Sequence, residues 1–170
     1  PSADFIKMVL QVCPDQCTLV PDSPDQLTSD HGWNVVENRA TLLGVLGDLR
    51  EKNIRSSLFL DPDLEMLEQV PSVGADRIEL YTEDYASHFA SSEQDAVFER
   101  YRITAQRAEQ LGIGLNAGHD LDLQNLPKFL EIPNILEVSI GHALVVESLQ
   151  LGVAEVISRY LAIVDGEGIE

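Results

Sequence analysis

The feature that most constrains this chain is an alternation. After an opening helical stretch, short apolar runs are each followed by a longer amphipathic stretch, five times over. The runs are Cys17-Thr-Leu-Val-Pro21, Ile54-Arg-Ser-Ser-Leu-Phe-Leu60, Arg77-Ile-Glu-Leu-Tyr-Thr82, Gly112-Ile-Gly-Leu-Asn-Ala-Gly118 and Ile135-Leu-Glu-Val-Ser-Ile140. Brief apolar runs bounded by turn residues read as buried strands. Strands that alternate with helices form a parallel sheet, because parallel neighbours need a crossover connection. The fold class is therefore α/β, on one continuous core.

The helices follow from spacing. Pro1–Val12 carries Phe5, Ile6, Val9 and Leu10 on one face, with Ser2 placed to cap it and Pro14 to end it. Asn34–Asn53 offers Ala40, Leu43, Val45, Leu46 and Leu49, and Asp63–Val70 offers Leu64, Leu67 and Val70. Glu93–Leu111 places Val97, Tyr101, Thr104, Ala105 and Ala108 at helical spacing. Beyond Leu121 a helix with Leu123, Leu126, Phe129 and Leu130 is capped by Asp122 or by Asp120. The last helix runs from about Val145 to Val164, with Val153, Val156, Ile157, Tyr160, Leu161 and Val164 inward, and Gly152 can divide it. Val73-Gly-Ala-Asp76 is a turn, and Asp165-Gly-Glu-Gly is a frayed tail. Asp22–Trp33 and Glu83–Ser92 are long polar loops carrying His31 and His88, and loops of this length are often functional.

Composition excludes several classes. A chain of 170 residues with 44% hydrophobic and 24% charged residues is large enough for a single domain, residues 1–170. Its apolar runs are too short to span a membrane, and no secretory signal is expected. The formal net charge of −18 repels nucleic acid and anionic membranes, so neither is an expected partner. A phosphate ligand would have to be held by local groups: backbone N–H, helix N-termini or a few cations. Cys13 and Cys17 lack a second cluster to make a zinc site and read as two packed, reduced thiols. The chain opens without Met, directly into a helix, as a piece of a longer protein would.

Candidate site residues gather at strand ends. Pro21-Asp22, Asp61, Glu79 to Thr82, Asn116 to His119 and Gly141-His142 all lie there. Polar residues converging from many strand ends fit the mouth of a parallel barrel better than an open sheet, which binds at one switch point. In Gly112-Ile-Gly-Leu-Asn-Ala-Gly-His119-Asp120-Leu121, Ile113 and Leu115 can be buried, while the glycines admit close approach. Arg77–Thr82 alternates, so Ile78 and Leu80 face the helices and Glu79 faces the interior, where a charge needs a partner such as Arg77, or water. Thr28 and Ser29 could donate to an anion. Gly141 lets backbone approach where a helix begins.

Five strands do not close an eight-stranded barrel. The motifs Thr18-Leu-Val-Pro-Asp with Gln26-Leu-Thr-Ser, Ile78-Glu-Leu-Tyr-Thr, Asn116-Ala-Gly-His-Asp-Leu and Ile140-Gly-His-Ala resemble those of the pyridoxine 5′-phosphate synthase family, in that family's order and over nearly the whole chain. The resemblance implies a cytoplasmic (βα)8 TIM barrel, of which this chain covers about five units. It implies condensation of 3-amino-2-oxopropyl phosphate with 1-deoxy-D-xylulose 5-phosphate to pyridoxine 5′-phosphate, inorganic phosphate and water, without a cofactor or metal, in a homo-octamer. By resemblance His119 is the proton donor and Glu79 stabilises a transition state. Thr28 contacts the deoxyxylulose phosphate, and Asp120, Gly141 and His142 contact the aminooxopropyl phosphate. Position 120 is Gly or Asp in the family, so its contact is expected through the backbone N–H. The family's first three strands, with further catalytic His and Glu residues, have no counterpart here, and the chain resembles the C-terminal two-thirds of such an enzyme.

Two other readings stand beside this one. Another phosphate-binding barrel lyase or isomerase would be expected to supply a Schiff-base lysine or a metal set, and Lys7, Lys52 and Lys128 all fall on helices or at their ends. A truncated, non-catalytic barrel fragment would bind without turnover and would tend to aggregate through its open edges.

Overall fold

The computed structural model describes residues 2–23 and 25–166. The elements run α1 (Ala3–Val12), β1 (Gln16–Leu19), α2 (Arg39–Glu51), β2 (Arg55–Leu60), α3 (Leu64–Val73), β3 (Arg77–Tyr81), α4 (Glu83–His88), α5 (Gln94–Gln110), β4 (Gly114–Gly118), α6 (Leu126–Phe129), β5 (Ile135–Ser139), α7 (His142–Leu151) and α8 (Val153–Val164). The strands form one parallel sheet in the order β1-β2-β3-β4-β5. Each strand lies beside its successor, so the sheet has no point where the order reverses. That is the order of a barrel wall and not of a doubly wound sheet.

The sheet is strongly curved. On a flat sheet four strand spacings would put β1 and β5 about 19 Å apart, too far for a Gln and a Glu side chain to meet. Yet Gln16 Nε2 on β1 donates to the Glu137 carboxylate on β5 at 3.2 and 3.3 Å. The convex face is apolar. Cys17, Leu19, Leu58, Leu60, Ile78, Leu80, Leu115 and Ala117 are buried there with the helices. From α2 come Leu42, Leu46 and Leu49, and from α3 Leu67 and Val70. Tyr101, Ala105 and Ala108 come from α5, and Phe129 from α6. The concave face holds Thr18, Ser57, Phe59, Arg77, Glu79, Asn116 and Gly118, matched across the strands by the register.

Several elements follow the expected pattern. Ser2 caps α1 by accepting from the Phe5 N–H at 3.2 Å. In α5 the buried side chains are Val97, Tyr101, Thr104, Ala105 and Ala108, the expected set. Asp122, not Asp120, caps the turn that leads to α6, accepting from the N–H groups of Gln124 and Asn125 at 2.9 and 2.8 Å.

Others differ, for local reasons. α2 begins at Arg39 and not Asn34, because Asn34 Oδ1 accepts from the Glu37 N–H and holds a turn first. Its buried stripe is Leu42, Leu46 and Leu49, while Leu43 and Ala40 face solvent. α3 runs past Val70 to Val73, ending on Gly74 at φ 75. Residues 83–88 are a helix and not loop, anchored by the wholly buried Tyr85 against Tyr101 and Phe129. The helix expected after Leu121 is only the four residues of α6. The last helix starts earlier, at His142, and Gly152 does divide it, at φ 86. In α8 the buried residues are Val156, Tyr160 and Ile163, so Val153, Ile157, Leu161 and Val164 lie on the open side of the expected stripe. Cys17 is buried, but Cys13, in a left-handed cap after α1, is exposed and not packed. The expected tail falls partly on Glu167 and Gly168, outside the described residues. No helix among the described residues is long and apolar enough to cross a membrane.

The loop after β1 is tied down over the strand ends. Trp33 is buried, with its indole N–H on the Leu19 carbonyl at 2.8 Å and its backbone N–H on the Phe59 carbonyl at 2.9 Å. Gly32 lies flat on the end of β2: a Cβ there would stand 2.4 Å from the Asp61 nitrogen and 2.6 Å from the Leu60 Cα. Backbone cannot yield as a side chain can. Gly32→Ala should therefore destabilise the fold by about 2–3 kcal/mol, read as a fall in the midpoint of thermal unfolding; an unchanged midpoint would show that the loop lifts freely.

Candidate active site

The site is built at the C-terminal ends of β3 and β4 under the loop after β1. Glu79 stands at the centre of β3, opposite Phe59 on β2 and Asn116 on β4. It is 8% exposed and accepts from Thr18 Oγ1 of β1 at 3.2 Å. Burial pushes its carboxyl above the ordinary value of 4.5; the Thr18 hydrogen bond opposes that shift, Glu137 adds to it and His119 opposes it. Arg77 is not its partner. The Arg77 guanidinium donates instead to Asn116 Oδ1 at 2.9 Å and to Glu137 at 3.3 Å, one layer further down.

The glycines of β4 make this placement possible. A Cβ on Gly118 would stand 2.5 Å from Glu79 Oε1, and one on Gly114 would stand 2.7 Å from Arg77 Cγ. Close approach was expected from backbone or ligand. What the glycines admit is the long side chains of the neighbouring strand.

His119 follows Gly118 directly. Its Nε2 lies 3.1 Å from Thr28 Oγ1, and its Nδ1 lies 2.7 Å from Asp120 Oδ2. Tyr81 packs edge-on to the ring with centroids 5.1 Å apart, and Phe59 lies 6.3 Å away. The Tyr81 hydroxyl donates to the Ser29 carbonyl at 3.0 Å, which fixes the loop that carries Thr28. Burial, helped by the carboxylates around it, pushes the Tyr81 phenol up to about 12, so it stays a donor at neutral pH. The backbone at His119 and Asp120 is left-handed, at φ 80 and 37.

Thr28, Glu79, His119 and Asp120 are thus brought together, from positions as far apart as 28 and 119. Gly141 and His142 lie at the same end of the sheet, past Ser139, which pairs with Gly118. Gly141 precedes the first turn of α7, both residues are exposed, and nothing lies within 4 Å of a Cβ built on Gly141. The N–H groups of Asp120 and Gly141 have no hydrogen-bond partner among the described residues. Ser57 Oγ and Asn116 Nδ2 are buried on the concave face, also unpartnered among the described residues. Beside the site a cleft of about 430 Å³ is lined by Asp30, Asp61, Asp63, Glu83 and Asp84, with Arg100 paired to Asp84. Those carboxylates oppose a phosphate there.

His31 and His88 are elsewhere. The His31 ring pairs with Asp30, and His88 ties the end of α4 to Asp84 and Glu93. Lys7 lies in α1, Lys52 caps α2 and Lys128, in α6, pairs with Asp95, so none of them stands at a strand end as a Schiff-base lysine would. Among the described residues no cluster of His, Cys, Asp and Glu is suited to a metal. The sequence presents Thr18 only as part of a motif and Thr82 only as one of the polar residues at the end of its strand. Thr18 shares the two-residue period of β1 with Gln16 and could have been found by it. Thr82, wholly buried, holds the Gly118 and His119 carbonyls through its hydroxyl and carries no such signal.

Residues 1–166 match the family model described as Pyridoxal phosphate biosynthesis protein PdxJ. The chain belongs to this family. The pyridoxine 5′-phosphate synthase of Chelativorans sp. (strain BNC1) is 45% identical over 166 residues, which cover 95% of this chain and 67% of that protein. The enzyme of the same name from Bacteroides fragilis (strain YCH46) is 48% identical over 161 residues, covering 94% and 68%. The chain therefore spans about two thirds of the length of these PdxJ relatives. Among solved structures, the Amycolatopsis orientalis BexX/CysO complex superposes with a TM-score of 0.56 at 16% identity, covering 96% of this chain and 63% of that one. The HMG-CoA lyase from Brucella melitensis gives 0.54 at 18% identity, covering 92% and 61%. These two show the α/β fold alone. The PdxJ family is one of enzymes of pyridoxine biosynthesis, and this chain is a member.

Proposed function

We propose that this chain supplies one side of the mouth of a (βα)8 pyridoxine 5′-phosphate synthase. The reaction is the condensation of 3-amino-2-oxopropyl phosphate with 1-deoxy-D-xylulose 5-phosphate to pyridoxine 5′-phosphate, inorganic phosphate and water. The enzyme would work in the cytoplasm as a homo-oligomer and without a cofactor. The observation that carries this reading is His119 held between Thr28 and Asp120, beside a buried Glu79.

Each step of this chemistry moves a proton. Imine formation, loss of phosphate and dehydration all require one to be delivered to a leaving oxygen near neutral pH, and histidine titrates in that range. Among the described residues His119 Nε2 meets Thr28 alone, and Nε2 is the atom that would deliver the proton. When it does, the N–H bond breaks, its electron pair stays on Nε2, and the proton goes to the leaving oxygen. Glu79 is buried, and there a negative charge stabilises cationic imine-like species formed during ring closure more strongly than in water. Thr28 would bind the deoxyxylulose phosphate. The free N–H groups of Asp120 and Gly141, with His142 at the start of α7, would hold the phosphate of the aminooxopropyl substrate.

Turnover of the two substrates by the full-length enzyme tests the reading as a whole. Gly141 tests the phosphate. With open space around it, a valine there should fold, but its branches would cover the N–H groups at the start of α7. Gly141→Val should raise KM for 3-amino-2-oxopropyl phosphate by about 10-fold or more, the loss of one charge-assisted hydrogen bond, with KM for the other substrate within twofold. Equal effects on both would assign Gly141 to packing.

A further inference from the structure

The pairing of His119 with its own neighbour deepens the reading above and rests on it. We propose that Asp120 is a positioning residue, whose carboxylate holds the Nδ1 hydrogen of His119 so that the proton exchanged with substrate always leaves from Nε2.

The His119 ring and the Asp120 carboxylate, on consecutive residues, are turned onto each other. Here both residues are left-handed, at φ 80 and 37, a backbone that L-residues with a Cβ adopt at a cost. The surroundings hold it there. Thr82 Oγ1 lies 2.8 Å from the Gly118 carbonyl oxygen and 2.5 Å from the His119 carbonyl oxygen, and shares its one hydroxyl hydrogen between them. The Leu121 N–H also reaches the His119 carbonyl. Asn125 Nδ2 donates to the Asp120 carbonyl at 3.1 Å, and Asn125 is itself pinned by the Asp122 N–H and the Tyr85 hydroxyl. The Asp120 carboxylate has no capping duty, since Asp122 performs it, and its one hydrogen bond among the described residues is to His119 Nδ1.

The consequence is chemical. An ionised carboxylate only accepts, so Nδ1 must carry a hydrogen and the neutral ring presents its lone pair at Nε2. Thr28 then donates to Nε2. In the imidazolium both N–H groups have partners, one on Asp120 and one on Thr28 or on substrate. Proton delivery from Nε2 leaves the neutral ring already in the tautomer that Asp120 holds, with no ring flip between Tyr81 and Phe59. The same division of labour between an orienting carboxylate and a reacting imidazole nitrogen recurs on unrelated folds.

Asp120→Gly in the full-length enzyme tests this, because glycine suits φ 37 and the fold is preserved. Nitrogen-15 spectra of His119 at a pH where the ring is neutral should show the Nδ1–H tautomer in the parent and a shift toward Nε2–H in the variant. kcat should fall about 10-fold, with KM for each substrate within twofold. A parent ring already in the Nε2–H form would overturn the proposal without touching the reaction assigned to the enzyme. So would an unchanged kcat, or a deficit confined to KM for 3-amino-2-oxopropyl phosphate, which would make Asp120 a binding contact only. Loss of the parent reaction itself is a separate result, read in the parent assay, and the spectra still decide the tautomer.

Discussion

His119→Asn in the full-length enzyme should lower kcat by about 10²-fold or more, within the range for general acid–base catalysis. The substitution is well matched to its place. The backbone at this position is left-handed, at φ 80, where asparagine is among the residues that fit most readily. The side chain is 27% exposed and so takes only a modest share in the core. An asparagine amide can still reach Thr28 or Asp120. It cannot take up and release a proton near pH 7. Folding and substrate binding should therefore survive, with a melting temperature within a few degrees of the parent and KM values little changed. The ionisation that shapes the parent kcat–pH profile should vanish in the variant. If kcat stays near the parent value, or if its whole deficit follows lost folded protein, His119 is a structural residue of the strand end and the catalytic assignment fails.

Glu79→Gln should act in opposite directions on rate and stability. The rate should fall about 10²-fold, because a preorganised charge beside the reacting centre is removed. Stability at neutral pH should rise. The folded state raises the Glu79 carboxyl pKa, chiefly by burial, so the folded protein binds that proton more tightly than the unfolded chain. Its ionisation therefore costs stability as pH climbs from the unfolded value through the raised folded one, and the cost is complete above that window. Glutamine keeps an oxygen for Thr18 and has no charge to bury. A gain of about 1 kcal/mol would lift the melting temperature by about 2–4 °C in a chain of this size. The gain should shrink as the pH is lowered through the window and be absent below the ordinary carboxyl value of 4.5. A melting temperature that falls at pH 7, with rate unchanged, would mean that Glu79 is there to hold the wall together.

Periodic elements were the legible part of this chain. α5 has four turns and more, enough for the 3.6-residue period to single out Tyr101, Thr104 and Ala108, and the structure buries all three. β3 alternates cleanly, and that alternation places Glu79 on the inner face, where the structure has it. Shorter or tied-back elements were not legible. α4 has one buried side chain, Tyr85, and no period can be read from one residue. In α8 the period finds Val156 and Tyr160 but not Ile163, because apolar residues flank the stripe on both sides: Ile163 is inside and Val164 outside. Within the site, His119 and Glu79 could be named from their strand ends. Their partners could not. Thr28 lies 91 residues from His119 in a loop whose path depends on Trp33, Gly32 and Tyr81. The Asp120 contact depends on two positive φ angles that spacing does not reveal.

The two glycines on the inner face of β4 have a consequence for how this protein can change. Gly118 is the floor on which the Glu79 carboxylate rests, and Gly114 is the floor for Arg77. The address of each charge is thus written on two strands at once. A side chain gained at 118 evicts the carboxylate at 79, whereas one shortened at 79 leaves a gap that 118 could fill. Substitutions at these two places should be strongly non-additive, since they share one volume. Drift along β4 is then not free even where no β4 atom takes part in the reaction. Two places on the strand are kept empty so that its neighbour can be full.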